Sequence, residues 1–282
     1  MNIAFWVTLC YFLVEMTGGL FYNSLALLTD ASFMVINVAG QLLVLYTDRV
    51  SSRLPDRRKT FGYERAKVIS ALFNGMLIGF VIFYVFRDAY DRILHPAPIQ
   101  ANKVFFISLI GLVANAYTVL CLHGRARDIH VRGAYLLALN DALGSVGITI
   151  SALLVHLTNL YIIDSITSLI ISLLIAYPTY RLVINSIGIL MESVPSWIDI
   201  AEVEGFIYEQ FSNISKVKEL HVWAISPEKI IATIEIRTQS RSYSREKIKA
   251  LKHALKNRFG FYKTYLEVYE DSNNNATSCL GS

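Results

Sequence analysis

The sequence predicts an α-helical membrane protein: six transmembrane helices, followed by a small α+β cytoplasmic domain of order αββαβ. Three observations predict it. Apolar residues fill 54% of the 282 positions, too many for a soluble domain. Runs long enough to cross a bilayer recur at residues 3–22, 24–47, 65–86, 103–123, 134–157 and 161–186, and about 20 apolar residues suffice for one helical crossing. After Pro195 the sequence turns charged and alternating, which marks a second, water-exposed unit. The expected division is 1–193 for the membrane domain, 194–271 for the cytoplasmic domain and 272–282 for a polar, disordered tail.

Basic residues set the expected orientation. The connection after the second run carries Arg49, Arg53, Arg57, Arg58, Lys59, Arg65 and Lys67, and the one after the fourth carries Arg125, Arg127 and Arg132. The first and fifth connections carry no Lys or Arg. Cations flank spans on the cytoplasmic side, so the chain is expected to be an integral, multi-pass protein of a plasma or organelle membrane, with both termini in the cytoplasm. The net charge of +4 is then a topology signal and leaves no nucleic-acid footprint; the lipid bilayer is the partner it points to. Cys10, Cys121 and Cys279 form no closely spaced pair, which excludes a disulfide framework or a CxxC metal site. The first apolar run is too long and lacks the basic flank of a cleavable signal, so it reads as a first span.

The second unit can be read element by element. Ile200, Val203, Ile207 and Phe211 recur at helical spacing. Leu220, Val222 and Ala224 alternate with Glu219, His221 and Trp223, the pattern of a half-buried strand. Ile230, Ala232, Ile234 and Ile236 alternate with Thr233, Glu235 and Arg237 as a second strand. Ile248, Leu251 and Leu255 mark another helix, with Ser244 placed to cap its start and Gly260 just past its end. Leu266 and Val268 close with a third strand. By alternation His221, Trp223 and Glu235 fall on the face opposite the apolar core.

Polar residues inside the spans carry the chemistry. Glu15, Asp30, Asn74, Asn115 and Asp141 all lie within apolar runs, where an Asp costs about 2.5–3.5 kcal/mol on insertion scales. Such residues persist with a partner or a task. Glu15, Asn74 and Asn115 read as interhelical hydrogen-bonding groups. Asp141 reads either as a remnant hydrogen-bonded to Asn37 or Asn140, or as a retained proton or cation site. Asp30 and Asn37 are seven apart and share a helix face.

Ordered segments, taken together, carry a resemblance. They are Glu15-Met16-Thr17-Gly18-Gly19, the stretch Ser24–Asn37, Phe61-Gly62-Tyr63-Glu64-Arg65-Ala66, His95-Pro96, the stretch Arg132–Gly147, Asp164-Ser165 and Leu220-His221-Val222-Trp223. Over residues 3–271 they resemble the cation diffusion facilitator (cation efflux, zinc transporter) family, dimeric proton-coupled zinc exporters with a ferredoxin-like cytoplasmic domain. The resemblance implies four metal ligands: a His or Asp and then an Asp four residues later, on the second and on the fifth transmembrane helix. Residues four apart lie on one helix face, and two such pairs make the tetrahedral set zinc prefers. This chain holds Phe33 and Asn37 on one helix and Leu137 and Asp141 on the other. Only Asp141 remains of the four. Losing even an outer partner of a ligand costs about 10–100-fold in metal affinity, so three lost ligands cost at least about a thousandfold.

The expectation is therefore a cation-efflux-family protein, not an enzyme, associated with divalent metal (zinc) transport. It is expected to act as a non-conducting partner subunit with a degenerate transport site, forming a homodimer or a heterodimer with a ligand-complete related protein. No cofactor is required, and zinc is the metal the resemblance weakly suggests. The alternative is an active proton-coupled transporter using Asp141 with Asp30 and Asn37, and Asn140 as an accessory polar group; an oxygen-only set favours hard cations. The resemblance further implies an ion pair between Arg65 and Glu192 that locks the helices of the dimer. It also implies metal-binding histidines on the cytoplasmic sheet, of which only His221 is matched; Glu235 and Lys263 stand near the others' places. The loop from Gly124 to Gly133 holds a single His130.

Overall fold

The computed structural model describes residues 2–123, 129–210, 214–238 and 245–270. Six long helices come first: α1 (Asn2–Tyr22), α2 (Leu25–Ser51), α3 (Arg65–Leu94), α4 (Ala101–His123), α5 (Ile129–Thr158) and α6 (Ile162–Leu190). Then follow α7 (Ile200–Gln210), β1 (Ile214–Ser226), β2 (Lys229–Thr238), α8 (Arg245–Phe259) and β3 (Lys263–Glu270). Among the described residues five helices, α2 to α6, are long and apolar enough to cross a membrane. α1 covers the first expected run. α3 outlasts its apolar run because its polar end stays helical, with Arg92 Nε donating to Asp88 Oδ2 one turn back at 3.1 Å.

The chain divides into two units: residues 1–46 with 70–183, and residues 47–69 with 184–282. The first is helical. Its buried apolar cluster joins Ala26, Leu27 and Phe33 of α2 to Val104 of α4, Ile148 and Ala152 of α5 and Ile171 of α6. Large apolar side chains such as Phe80, Phe106 and Leu174 point outward, as a lipid-facing surface requires.

The start of α2 is built by a residue of α6. The Asp164 carboxylate accepts hydrogen bonds from Ser24 Oγ at 2.7 Å, from the Leu25 N–H at 2.7 Å and from the Ala26 N–H at 3.2 Å. The first N–H groups of a helix lack partners within it and carry partial positive charge, so a buried carboxylate there answers both needs. Asn23, just past the end of α1, is in the left-handed conformation with φ 57°, and Arg92 Nη1 donates to its carbonyl at 2.7 Å. Asn115 Nδ2 donates to Ser145 Oγ at 2.9 Å, an interhelical bond between α4 and α5.

In the second unit the sheet runs β1-β2-β3, with β1 and β2 antiparallel and β2 and β3 parallel. Val203 and Ile207 of α7 and Leu251 and Leu255 of α8 bury against Val222, Ile230, Ala232, Ile234 and Ile236. Gly260 ends α8 with φ 73°, its N–H bonded to the Lys256 carbonyl at 2.9 Å, the left-handed stop that glycine adopts without strain. β1 starts at Ile214, earlier than the alternation at Leu220 to Ala224 indicates, because register shifts at Ile214/Lys216 and Val217/Glu219 break the period of two. Ser244, the tail 272–282 and part of the loop around His130 lie outside the described residues.

Candidate functional site

α2 carries Asp30, Phe33 and Asn37, and α5 carries Leu137, Asn140 and Asp141. Phe33 is 4% exposed and packs in the apolar cluster described above. Asn37 is half-buried, Asp141 half-buried and Asn140 exposed. Leu137 occupies its helical position in α5, and its side chain lies outside the described residues. Among the described residues no hydrogen bond joins the Asp141 carboxyl to Asn37 or Asn140, and no group of three or more His, Cys, Asp or Glu is placed to hold a metal ion.

What the helices do bring together is acidic. Glu15 of α1 is fully buried, accepts a hydrogen bond from the Tyr11 hydroxyl one turn earlier, and has no partner for its second oxygen. Asp30 is buried, and its Oδ2 is likewise unpartnered. The two carboxyls lie near enough to feel one another's charge, and that of Asp141 reaches both. Small residues permit this approach. A Cβ on Gly144 would stand 3.3 Å from Asp30 Oδ1, and one on Gly111 would overlap the Tyr11 phenol. Ionised carboxylates only accept hydrogen bonds, so a shared proton or a cation is what would satisfy such a pair.

Sequence reasoning gave Glu15 an interhelical bonding role and missed its meeting with Asp30. The available signal was Tyr11 and Glu15 on one face of the first span. It missed the capping role of Asp164 as well, since nothing local links that residue to Ser24.

The second unit holds the other residues singled out by sequence. Arg65 Nη2 lies 2.5 Å from Glu192 Oε1 within one chain, with side chains 40% and 56% exposed. Lys67 pairs with Asp48 at 3.0 Å and Lys229 with Glu64 at 2.6 Å; the hydrogen bond to Glu64 pushes the Lys229 ammonium's pKa up. His221 and Glu235 belong to different pairs. His221 Nε2 is 3.6 Å from Glu219 Oε2, whereas Glu235 accepts from Lys218 Nζ at 3.1 Å and raises that lysine's pKa. Trp223 is half-buried and lines a cavity of about 460 Å³ with Arg58, Lys59, Phe61, Arg65 and Glu192.

Comparison with known proteins decides the family. Residues 1–191 match the family model described as the cation efflux transmembrane domain. The chain belongs to the cation efflux family. It is 34% identical over 236 residues to the zinc transporter ZitB of Escherichia coli, covering 83% of this chain and 75% of that protein. It is 31% identical over 237 residues to the metal cation efflux system protein CzcD of Cupriavidus metallidurans, covering 84% and 75%. A Bacillus subtilis protein described as a cadmium, cobalt and zinc/H(+)-K(+) antiporter is 31% identical over 227 residues, covering 79% and 73%. Membership of the cation efflux family and five apolar helices make this an integral, multi-pass membrane protein. These relatives are described as transport or efflux proteins.

Proposed function

We propose that this cation efflux protein does not conduct zinc through the family's usual site and serves as a partner subunit that dimerises with a ligand-complete relative. Phe33 supports the reading most: where the family resemblance expects a ligand, an aromatic ring is buried among aliphatic side chains of four helices. A ring so placed is a packing element and cannot be a donor. The reading includes cytoplasmic termini, a boundary between domains near residue 193 with the second domain ferredoxin-like, and Arg65–Glu192 as the lock of the dimer. Co-expression with a ligand-complete relative tests it. The expected result is co-purification of the two chains as a stoichiometric heterodimer. A chain recovered only with itself, in vesicles that take up zinc, would overturn it.

A second reading rests on Asp30. Its unpartnered buried oxygen beside Glu15 and Asp141 supports an active proton-coupled transporter of altered specificity, using Asp141 with Asp30 and Asn37. Metal-driven flux in sealed vesicles, lost in Asp141→Ala, would favour it over the first.

A further inference from the structure

The connection between α2 and α3 forms, with the sheet of the second unit, a cavity that neither reading uses. Its volume is about 770 Å³, within the range of about 300–1,000 Å³ that small-molecule sites occupy. Ser51, Arg53 and Thr60 line it from the connection, and Lys229, Tyr262 and Lys263 from the sheet. Three cations therefore meet one carboxylate, that of Glu64, which pairs with Lys229. Arg53 has no ion-pair partner among the described residues, and Lys263 stands 4.9 Å over the ring of Tyr265, whose hydroxyl raises the lysine's pKa and keeps it charged. The wall is apolar as well: Leu54 is 85% exposed and Phe61 55%.

Topology accounts for basic residues next to a span end. It does not account for lysines from the far end of the sequence converging on the same cavity, nor for exposed Leu54 and Phe61 between the cations. The cavity adjoins Ser51, the last residue of α2, and Glu64, the residue before α3, the ends of two helices long and apolar enough to cross a membrane, and headgroups lie where spans end. Cations beside a leaflet attract anionic lipid, and an apolar wall suits the glycerol and upper acyl region of the same molecule. We propose that this cavity binds the phosphate headgroup of an anionic phospholipid, with Arg53 and Lys263 holding the phosphate and Leu54 and Phe61 against the acyl boundary.

The test uses the full chain purified in detergent and follows its thermal unfolding midpoint during titration with dioleoylphosphatidylglycerol, dioleoylphosphatidylcholine or glycerol 3-phosphate. Phosphatidylglycerol is expected to raise the midpoint saturably, and the other two to leave it unchanged at equal concentration. The double variant Arg53→Gln/Lys263→Gln should need at least about tenfold more phosphatidylglycerol for the same shift, with each single variant in between. Arg57→Gln, a cation that lines neither cavity, should behave as wild type. An equal effect of phosphatidylcholine, or a double variant indistinguishable from wild type or from Arg57→Gln, would overturn the proposal. An equal effect of glycerol 3-phosphate would reassign the cavity to a soluble phosphate and overturn the lipid.

Discussion

At the residue scale the proposed reading turns on Phe33 and Leu137, hydrocarbon side chains where it expects donors. Phe33 fills space between helices, so replacing it costs packing, whatever it restores. Phe33→His, Asn37→Asp and Leu137→His, with Asp141 kept, would return two donor pairs at four-residue spacing, the set a closed zinc site needs. Calorimetry on the solubilised triple variant is expected to show micromolar or tighter zinc binding that vanishes on adding Asp141→Ala, against no specific intramembrane binding in wild type. The variant should also be less stable, since a buried ring is lost and a polar group enters an apolar cluster. Asp164 gives a second prediction. Asp164→Ala leaves Ser24 Oγ and two N–H groups without their acceptor, and the expected cost is about 2–3 kcal/mol in the reversible unfolding of the solubilised protein. Asp164→Asn should cost less, because an amide oxygen still accepts. An unchanged midpoint for Asp164→Ala would mean that water replaces the carboxylate.

At the scale of elements, periodicity was informative wherever packing follows it. Leu220, Val222 and Ala224 face the core side of β1, and Ile230, Ala232, Ile234 and Ile236 are buried in β2, because a strand with one covered face must alternate. The extension of β1 to Ile214 was not legible, since a register shift erases the period without leaving a sequence mark. The capping of α2 by Asp164 and the meeting of Glu15, Asp30 and Asp141 were not legible either. Each joins residues far apart in sequence, and only helix packing decides which faces meet.

The Arg65–Glu192 pair was legible through family resemblance alone. At this exposure it is worth about 0–1 kcal/mol to a single chain; on the proposed reading its weight in a dimer comes from burial between subunits. Glu192→Lys is expected to weaken dimerisation, and adding Arg65→Glu to restore it in part, as read by sedimentation in detergent. A double variant no better than the worse single one would contradict the pairing. The α2–α3 connection has its own pH dependence. Asp56 accepts from the Tyr63 hydroxyl at 2.6 Å and from the Arg58 and Lys59 N–H groups at 2.7 Å, and these bonds hold its carboxyl below the usual carboxylate range. A depressed pKa means that the ordering is full above the unfolded value of about 3.9 and fades as pH falls through the folded one. Exchange protection of the Arg58 and Lys59 amides should therefore persist at pH 5 and drop only below about pH 4. Asp56→Asn should weaken it throughout.

At the scale of the whole molecule, a chain of the cation efflux family carries Phe33, Asn37 and Leu137 where, on the proposed reading, three of four donors are lost. Among the described residues the buried carboxyls of Glu15 and Asp30, near Asp141, argue for retained ion traffic, and Phe33 argues against zinc as the ion. Both bear on a single quantity. Purified wild-type protein in sealed vesicles, loaded with a zinc-sensitive dye and given an inward zinc gradient with an opposing proton gradient, reports flux directly. Flux at the level of protein-free vesicles is expected for wild type and for Asp141→Ala alike. Zinc uptake by wild type that Asp141→Ala abolishes would contradict a vacated site and establish a working transporter.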